Sequence, residues 1–401
     1  MVSDWIELPL GDVLTLQRGF DLPSQDRRPG VVPIVSSSGI SGYHSDVGVR
    51  GPGVITGRYG TIGQVFYIKS DYWPLNTTLW VRDFHGNDPL FASYLLRTVD
   101  FRSCSDKSSV PGVNRNDLHR IPVRIPPLPE QKAIARILGT LDDKIELNRR
   151  MNATLEAMAR ALFQSWFVDF DPVHAKAAGR HPAGMDTQTA ALFPDSFQAS
   201  ELGEIPTGWT VKSLDQIAQY LNGLALQKFP AREDETLPVI KIAQLRKGDT
   251  IGADRCSAEL PQDYIIVDGD MLFSWSGSLE VELWCGGPGA LNQHLFKVTS
   301  QDFPQWFYYH WTRHHLTGFR LIAASKATTM GHIQRKHLTE AKVLVPPPSV
   351  IESLTPSFQP LLDQIIANRI QSRTLATLRD TLLPKLLGGE LSLSALQCLE
   401  P

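Results

Sequence analysis

Cysteine is scarce in this chain of 401 residues. Its four cysteines are scattered and form no Cys-x-x-Cys pair: Cys104, Cys256, Cys285 and Cys398. This usage argues against a disulfide scaffold or a zinc knuckle and is typical of free thiols in a reducing cytosol. We therefore expect a cytoplasmic protein.

Long apolar runs and a charge excess are also missing. No stretch approaches the ~18 apolar residues that a membrane helix needs. The start of the sequence, MVSDWIELPLGD, lacks the basic and then apolar pattern of a secretory signal. Lys and Arg number 39 against 42 Asp and Glu, a formal charge of −3. We expect no membrane partner, and any binding of nucleic acid must depend on local charge.

The familiar catalytic motifs are absent. There is no GxxxxGK[ST] phosphate loop, no GxGxxG after a strand, and no Asp/Asn-Pro-Pro-aromatic motif of amino-methyltransferases. The Pro-Pro pairs follow Ile125 and Val345 instead. We therefore expect that this chain carries no catalytic residues and binds no cofactor of its own.

Three weaker patterns allow other interpretations. Glu340 and Lys342 have the Glu-x-Lys spacing of a nuclease strand, but no upstream Asp accompanies them, so an ordinary strand edge is favoured. The two further patterns are candidate metal ligands: His310 with His314, and Asp169 with Asp171. A polar or DNA-facing helix surface explains the histidines better, and a capping turn explains the aspartates better. We expect no metal site.

An internal duplication organises the chain. The sequence aligns with itself at a shift that drifts from 204 to 220 residues. Early in the repeat, Trp5, Leu10, Val13, Gly19 and Leu22 match Trp209, Leu214, Ile217, Gly223 and Leu226. Later, Leu141, Ile145, Asn148, Leu155 and Leu162 match Leu361, Ile365, Asn368, Leu375 and Leu382. So many matches in one register indicate two copies of one unit.

The later matches form an apolar seam. They recur at spacings of three and four after each Pro-Pro pair, which predicts two long helices packed as a coiled coil. Asn148 and Asn368 hold equivalent seam positions, where a buried Asn can fix the register. The globular parts instead show short β-rich runs with Gly and Pro turns and interspersed helical pieces.

The predicted class is α+β: two repeated α/β domains separated by two long helices. The boundaries that we predict are a first domain at 1–128, a first helix at 129–167, a connector at 168–206 with one short helical piece, a second domain at 207–348, and a second helix with a tail at 349–401.

The last stretch of each domain is basic. Residues 97–124 carry six basic and three acidic groups, and residues 313–342 carry six and one. Lys and Arg neutralise phosphates, and Ser and Thr hydroxyls bond to phosphates or base edges. Exposed aromatic or guanidinium groups at Gly-flanked turns would reach a groove. The predicted DNA-binding residues are Arg58, Tyr59, Lys107, Ser108, Ser109, Arg115, Trp275, Ser276, Lys326, Thr328, Thr329, Arg335 and Lys336.

The chain resembles the specificity subunit of type I restriction-modification enzymes. Four segments carry the resemblance: Ile125-Pro-Pro-Leu-Pro-Glu-Gln131, Leu141-Asp-Asp-Lys-Ile-Glu-Leu-Asn148, Phe163-Gln-Ser-Trp-Phe-Val-Asp-Phe-Asp-Pro172 and Leu202-Gly-Glu-Ile-Pro-Thr-Gly-Trp209. The resemblance covers essentially the whole length. The second helix departs from it, because Pro348-Ser-Val-Ile-Glu352 lacks the Glu-Gln pair.

The resemblance implies a non-catalytic subunit with two target-recognition domains, each reading half of a bipartite, asymmetric site on double-stranded DNA. The helices would form an antiparallel coiled-coil spacer that docks two modification subunits, which bind S-adenosylmethionine and methylate adenine. Restriction subunits would bring ATP, Mg²⁺ and cleavage. Two alternatives stay open: a stand-alone adenine methyltransferase with divergent motifs, and a coiled-coil scaffold with no DNA role.

Overall fold

The computed structural model describes residues 5–104, 112–232, 235–325 and 331–391. The chain divides into two compact units. The first unit is Met1–Ile145 with Leu375–Pro401, and the second is Glu146–Thr374. Each unit combines short strands and helices with part of two long helices.

Short strands dominate the first part of the chain. They are β1 Ile6–Pro9, β2 Thr15–Arg18, β3 Val32–Ser36, β4 Gly39–His44, β5 Gly53–Gly57, β6 Val65–Ile68, β7 Trp73–Pro74, β8 Thr78–Asp83 and β9 Pro122–Ile125. The accompanying helices are α1 Leu10–Val13, α2 Pro89–Thr98, α3 Arg115–His119 and the long α4 Leu128–Phe163. A 3₁₀ turn covers Ser24–Asp26.

The second part repeats this plan after a connector. The connector holds a π-helical turn at Gln164–Val168, α5 Asp171–Ala177, α6 Thr187–Ala191, β10 Phe197–Ser200 and β11 Gly203–Pro206. The strands that follow are β12 Thr210–Ser213, β13 Gln219–Asn222, β14 Thr236–Ile240, β15 Arg255–Ser257, β16 Ile265–Ile266, β17 Met271–Ser274, β18 Val281–Leu283, β19 Gly289–Leu291, β20 Leu295–Thr299 and β21 Lys342–Val345. The helices are α7 Leu214–Ile217, α8 Ile242–Lys247, α9 Gln305–Ser325, α10 Arg335–Glu340 and the long α11 Pro348–Leu387, with 3₁₀ turns at Leu226–Lys228 and Gln262–Tyr264.

Strand order confirms the internal duplication. The first unit has a four-stranded sheet β2-β8-β5-β6, a three-stranded sheet β4-β3-β7 and the pair β1-β9. The second unit has β13-β20-β17-β18, β15-β14-β19-β16 and β12-β21. The parallel pairs also correspond, since β3 runs parallel to β7 and β14 runs parallel to β19. Both units therefore share one mixed α/β topology.

The central strands are buried on both faces, which explains their apolar sequences. On β5, Val54 packs into the core formed with α2, whereas its neighbour Ile55 packs against Val35 and Tyr72 of the second sheet. The same alternation occurs on β17, where Leu272 packs with Ile240 of the second sheet. Successive side chains on a strand point to opposite faces. The sheet that holds β5 and the sheet that holds β17 are therefore each covered by a helix on one face and a second sheet on the other.

The two long helices pack on each other, as the seam predicted, and they run antiparallel, as the resemblance implied. In the second unit Asn148 bonds to Gln371, and Asn152, further along α4, bonds to Ile365, earlier in α11. In the first unit Asp142 pairs with Arg379 at 2.6 Å. Among the predicted seam residues, those that are fully buried are Asn148, Ile365 and Asn368, and those that are half-buried are Leu141, Ile145, Leu155, Leu162, Leu361, Leu375 and Leu382.

Helix α11 continues through internal prolines. Pro356 and Pro360 each remove a backbone donor, which ordinarily costs about 3 kcal/mol in a helix interior. The side chains around them, Leu354, Phe358 and Leu362, are completely buried, so tertiary packing holds the helix together. Among the described residues, no helix is both long enough and apolar enough to cross a bilayer.

The connector has more structure than the sequence predicted. It contains two short helices and the hairpin β10–β11 rather than one helical piece. Helix α6 has only five residues and is capped at its N-terminus by Asp186, whose carboxylate accepts from the amides of Gln188 and Thr189 at 2.9 Å. A helix of five residues is too short to show an apolar period in the sequence. It is stabilised instead by its N-terminal cap and by the nearby Phe193, which is buried in the core of the second unit.

Candidate nucleic-acid interface

The turn after β5 holds the first candidate site. Tyr59 pairs as an isolated β-bridge with Gly112, and the amide of Val113 donates to the carbonyl of Arg58 at 3.0 Å. Thr77 braces the same turn, because its carbonyl accepts from the amides of Arg58 and Tyr59 at 2.9 and 3.3 Å. The structure thus brings the Arg58 turn beside the start of the segment that carries Arg115.

Within this turn, Arg58 and Tyr59 face outward together. The Arg58 guanidinium lies 4.7 Å from the centre of the Tyr59 ring, and Tyr59 is 41% exposed. A Cβ atom on Gly112 would lie 2.5 Å from Tyr59 Cε1, so a larger residue there would displace the Tyr59 ring. Arg115 is exposed at the start of α3, where Asn114 caps the helix by accepting from the amide of Asn116 at 3.0 Å. The result is a cationic and aromatic surface.

The second unit repeats the backbone arrangement. After β17, Ser276 pairs with His332, and the amide of Ile333 donates to the carbonyl of Trp275 at 2.9 Å. The amide of Trp275 donates to the carbonyl of His294 at 3.3 Å, as Arg58 does to Thr77. The two candidate sites are therefore equivalent in topology.

The side chains of the second site are engaged differently. Trp275 Nε1 donates to Asn222 Oδ1 at 2.9 Å, and the Ser276 hydroxyl is buried beside His294 Nδ1 at 3.0 Å. Arg335 and Lys336 are both exposed, and Arg335 also donates to the carbonyl of Tyr220 at 3.2 Å. Ser276 thus holds the turn in shape, and Lys336 supplies an exposed positive charge.

Six predicted DNA-binding residues lie outside the described residues: Lys107, Ser108, Ser109, Lys326, Thr328 and Thr329. Each of the two described turns bridges to a residue that follows one of these segments closely, Gly112 in one unit and His332 in the other. DNA contact by all thirteen residues stays a prediction.

A histidine marks a difference between the two sites. His119 Nε2 accepts from the amide of Leu16 at 2.9 Å, and both burial and the nearby Arg115 charge lower its pKa. The neutral ring is the form that can accept this bond. At the equivalent position of the second unit, Thr339 donates to Asp215 at 2.6 Å.

The weaker sequence patterns have structural explanations. Lys342 lies 3.7 Å from Glu201, as expected for a surface strand edge. Asp169 accepts from Gln164 at 2.8 Å, and Asp171 accepts from Ser165 at 2.8 Å, which fits the predicted turn. In the part of the chain that the structure describes, no group of three or more His, Cys, Asp or Glu side chains is placed to hold a metal ion.

The interpretation of His310 as a polar helix surface is wrong. Its ring stacks on Phe163 at 5.2 Å between centroids, and the residue is 7% exposed. Only His314 of this pair is exposed. His310 lies among the buried aromatic residues of α9. The sequence pattern alone did not distinguish a histidine in the core from one on the surface.

Comparison with known proteins identifies the class that this duplicated fold represents. The type I restriction modification DNA specificity domain matches residues 2–157 and 206–374. The chain therefore belongs to the type I restriction-modification specificity subunit family, and it carries two copies of that domain.

Several known proteins share this organisation. The MjaIX specificity subunit of Methanocaldococcus jannaschii is 26% identical over 363 residues, covering 86% of this chain and 79% of the relative. The HindI specificity subunit of Haemophilus influenzae is 24% identical, covering 97% and 100%. The crystal structure of the S subunit from M. genitalium aligns with a TM-score of 0.62 at 15% identity, covering 96% of both chains. That last likeness supports the fold.

Proposed function

We propose that this chain reads a bipartite site on double-stranded DNA, one half with each unit. The observation that carries the proposal is the repeated turn: Arg58-Tyr59 and Trp275-Ser276 follow equivalent core strands and pair with equivalent downstream residues. Each turn adjoins the basic end of its domain. Basic groups contact phosphates and thereby position a protein on DNA. Side chains that enter a groove contact base edges and read the sequence.

The two half-sites differ in sequence under this proposal. The first turn presents a guanidinium against a tyrosine ring, whereas the second presents an indole whose N–H is already bonded to Asn222. Different donors and acceptors select different bases, because each base pair shows a distinct pattern in the major groove. An asymmetric target follows.

Partner subunits carry the reactions in this proposal. Part of α4 in the second unit exposes three large apolar side chains that share one helix face: Leu147 at 47%, Met151 at 37% and Met158 at 50%. Such a stripe suits docking of a partner helix. We assign it to a modification subunit, of which the complex holds two. Those subunits supply S-adenosylmethionine, and restriction subunits supply ATP and Mg²⁺ chemistry.

The proposal is tested by single substitutions in the complex with the modification subunit. Arg58→Ala and Lys336→Ala should each weaken binding of the cognate duplex, because each removes a cation from a DNA-facing surface. If the lost contact is with a phosphate, the slope of log affinity against log salt should fall by about 0.9. Binding is measured by fluorescence anisotropy across a salt series.

Arg232→Ala is the matched control. Arg232 is an exposed cation that pairs with Glu259 at 2.7 Å, away from the strand-end turns in sequence. The complex with the Arg232→Ala chain should bind cognate DNA with the same affinity as the parent complex. If the parent complex prefers cognate DNA and both test variants bind that DNA with unchanged affinity, the assignment of these surfaces to DNA binding is contradicted.

A further inference from the structure

A serine turn lies against the Arg58 turn in the first unit. Ser36 ends β3, and Ser37 and Ser38 connect that strand to β4. A Cβ atom on Gly60 would lie 3.8 Å from the Ser37 hydroxyl oxygen, and one on Gly57 would lie 3.3 Å from Ser37 Cβ. The two turns therefore form one continuous surface.

Ser36 shapes this turn and leaves Ser37 available. The Ser36 hydroxyl donates to the carbonyl of Gly39 at 3.0 Å and lies 3.1 Å from the Ser38 hydroxyl. The hydroxyl of Ser37 has no hydrogen-bond partner within the described ranges, and its side chain is half-buried. A hydroxyl in this state can donate and accept, so it can complement a polar base edge.

The second unit has a different structure at the equivalent place. Val35 pairs with Pro74 across parallel strands, and Ile240 pairs with Leu291 in the same way. The chain after Val35 makes the serine turn, but the chain after Ile240 enters helix α8 at Ile242. The copies thus differ in backbone here, next to turns that are otherwise equivalent.

We propose that Ser37 is a specificity-determining residue of the first half-site. Its hydroxyl bonds to a base edge beside the position that Arg58 reaches. The inference rests on the proposed function, since it assigns one more residue to the surface that reads DNA. It further assigns the difference between the half-sites to the fold of this segment as well as to side chains.

The test uses the complex with the modification subunit and a library of duplexes in which each half-site position is varied. Ser37→Ala should lower selectivity at one or two positions of one half-site by about 3- to 10-fold, the effect of losing one hydrogen bond. The other half-site should be unchanged. Ser45→Ala is the control, because Ser45 is exposed just beyond the opposite end of β4, roughly 17–20 Å along the strand.

The outcomes separate the two proposals. Selectivity equal to the parent, or an equal loss of affinity on all sequences, would overturn the role of Ser37, the latter by indicating a phosphate contact. Arg58→Ala assayed in parallel reports on the proposed function. If Arg58→Ala alters recognition and Ser37→Ala does not, only the present inference fails. If the parent complex selects no bipartite site, both the proposed function and the role of Ser37 fail.

Discussion

At the scale of single residues, buried histidines link the core of the second unit to pH. Burial lowers the pKa of His310 to about 3, and the nearby Arg313 charge acts in the same direction. Burial also lowers the pKa of His315 to about 4, although its ring donates to the carbonyl of Lys342 at 2.8 Å, which partly opposes the shift. Both rings are neutral in the folded protein near neutral pH.

Acid should therefore destabilise the second unit. An unfolded chain takes up protons on these rings below pH ~6.5, and the folded chain does not, so stability is full above that pH and falls as the pH decreases towards 4. Each histidine contributes up to about 1.4 kcal/mol per pH unit in this range. Denaturant unfolding between pH 7.5 and 5 measures the slope.

His310→Phe should flatten this dependence, because phenylalanine keeps the stack on Phe163 and has no proton to gain. His174→Phe is a matched control, since His174 is an exposed histidine of the same unit whose ring lies against Phe197. An unaltered acid slope in His310→Phe would show that another group causes the loss.

Residue roles were predictable from sequence where they follow the repeat. The amino-acid pattern of the two copies is enough to place Arg58 and Trp275 at equivalent turns. It did not reveal Ser37, since the serine turn has no counterpart in the second copy. Nor did it show that Ser276 is buried, because a hydroxyl fits a turn as a structural bond or as an exposed donor.

At the scale of elements, a polar cluster interrupts the apolar seam of the helix pair. Asn368 Nδ2 donates to Asn152 Oδ1 at 2.8 Å, and Asn148 Nδ2 donates to Gln371 Oε1 at 2.8 Å. All three asparagines are buried. Other registers of the helices would leave these amides unpaired, so the cluster fixes the register at a cost in stability.

A double-mutant cycle tests this cluster. Asn368→Leu alone should destabilise the protein by about 1–3 kcal/mol, because it leaves the buried Oδ1 of Asn152 without its donor. Asn152→Leu with Asn368→Leu should cost less than the sum of the single changes, because the paired leucines pack together. Denaturant unfolding gives the three differences, and simple additivity would contradict the account.

Sequence periodicity predicted the helices and their partners better than the details of the seam. The repeat identified Asn148 and Asn368 as seam residues. It also selected Leu361, which is half-buried, whereas Leu362 beside it is completely buried. The helical period of 3.6 residues drifts relative to a seven-residue repeat, so the repeat does not fix which residue faces the core. Packing of α11 against the globular part of the unit buries Leu362 rather than Leu361.

At the scale of the whole molecule, two copies of one fold suit a chain that reads a DNA site in two halves. One topology occurs twice, and the copies differ in backbone after Val35 and Ile240, where the first has the serine turn and the second has helix α8. The sequence predicted this organisation because matching residues recur along the chain at a shift that drifts only from 204 to 220 residues. The target bases were not predictable, since direct readout depends on which side chains reach which base edges.

The long helices should set the gap between the half-sites under the proposed function. Inserting one heptad into both α4 and α11 preserves the seam and adds about 10.5 Å to each helix. We expect the permitted gap to change by about three base pairs at ~3.4 Å per pair. Methylation of targets with varied gaps by the complex measures this, and an unchanged preferred gap would refute the spacer role.

Under the proposed function, this chain directs adenine methylation to a bipartite DNA site. The most direct test of this role is a map of adenine methylation across the host genome by single-molecule sequencing, with and without the gene. We expect deletion of the gene to remove methylation at one bipartite, asymmetric motif and to leave methylation at other motifs intact. An identical map in both strains, with the modification subunit expressed, would contradict the claim.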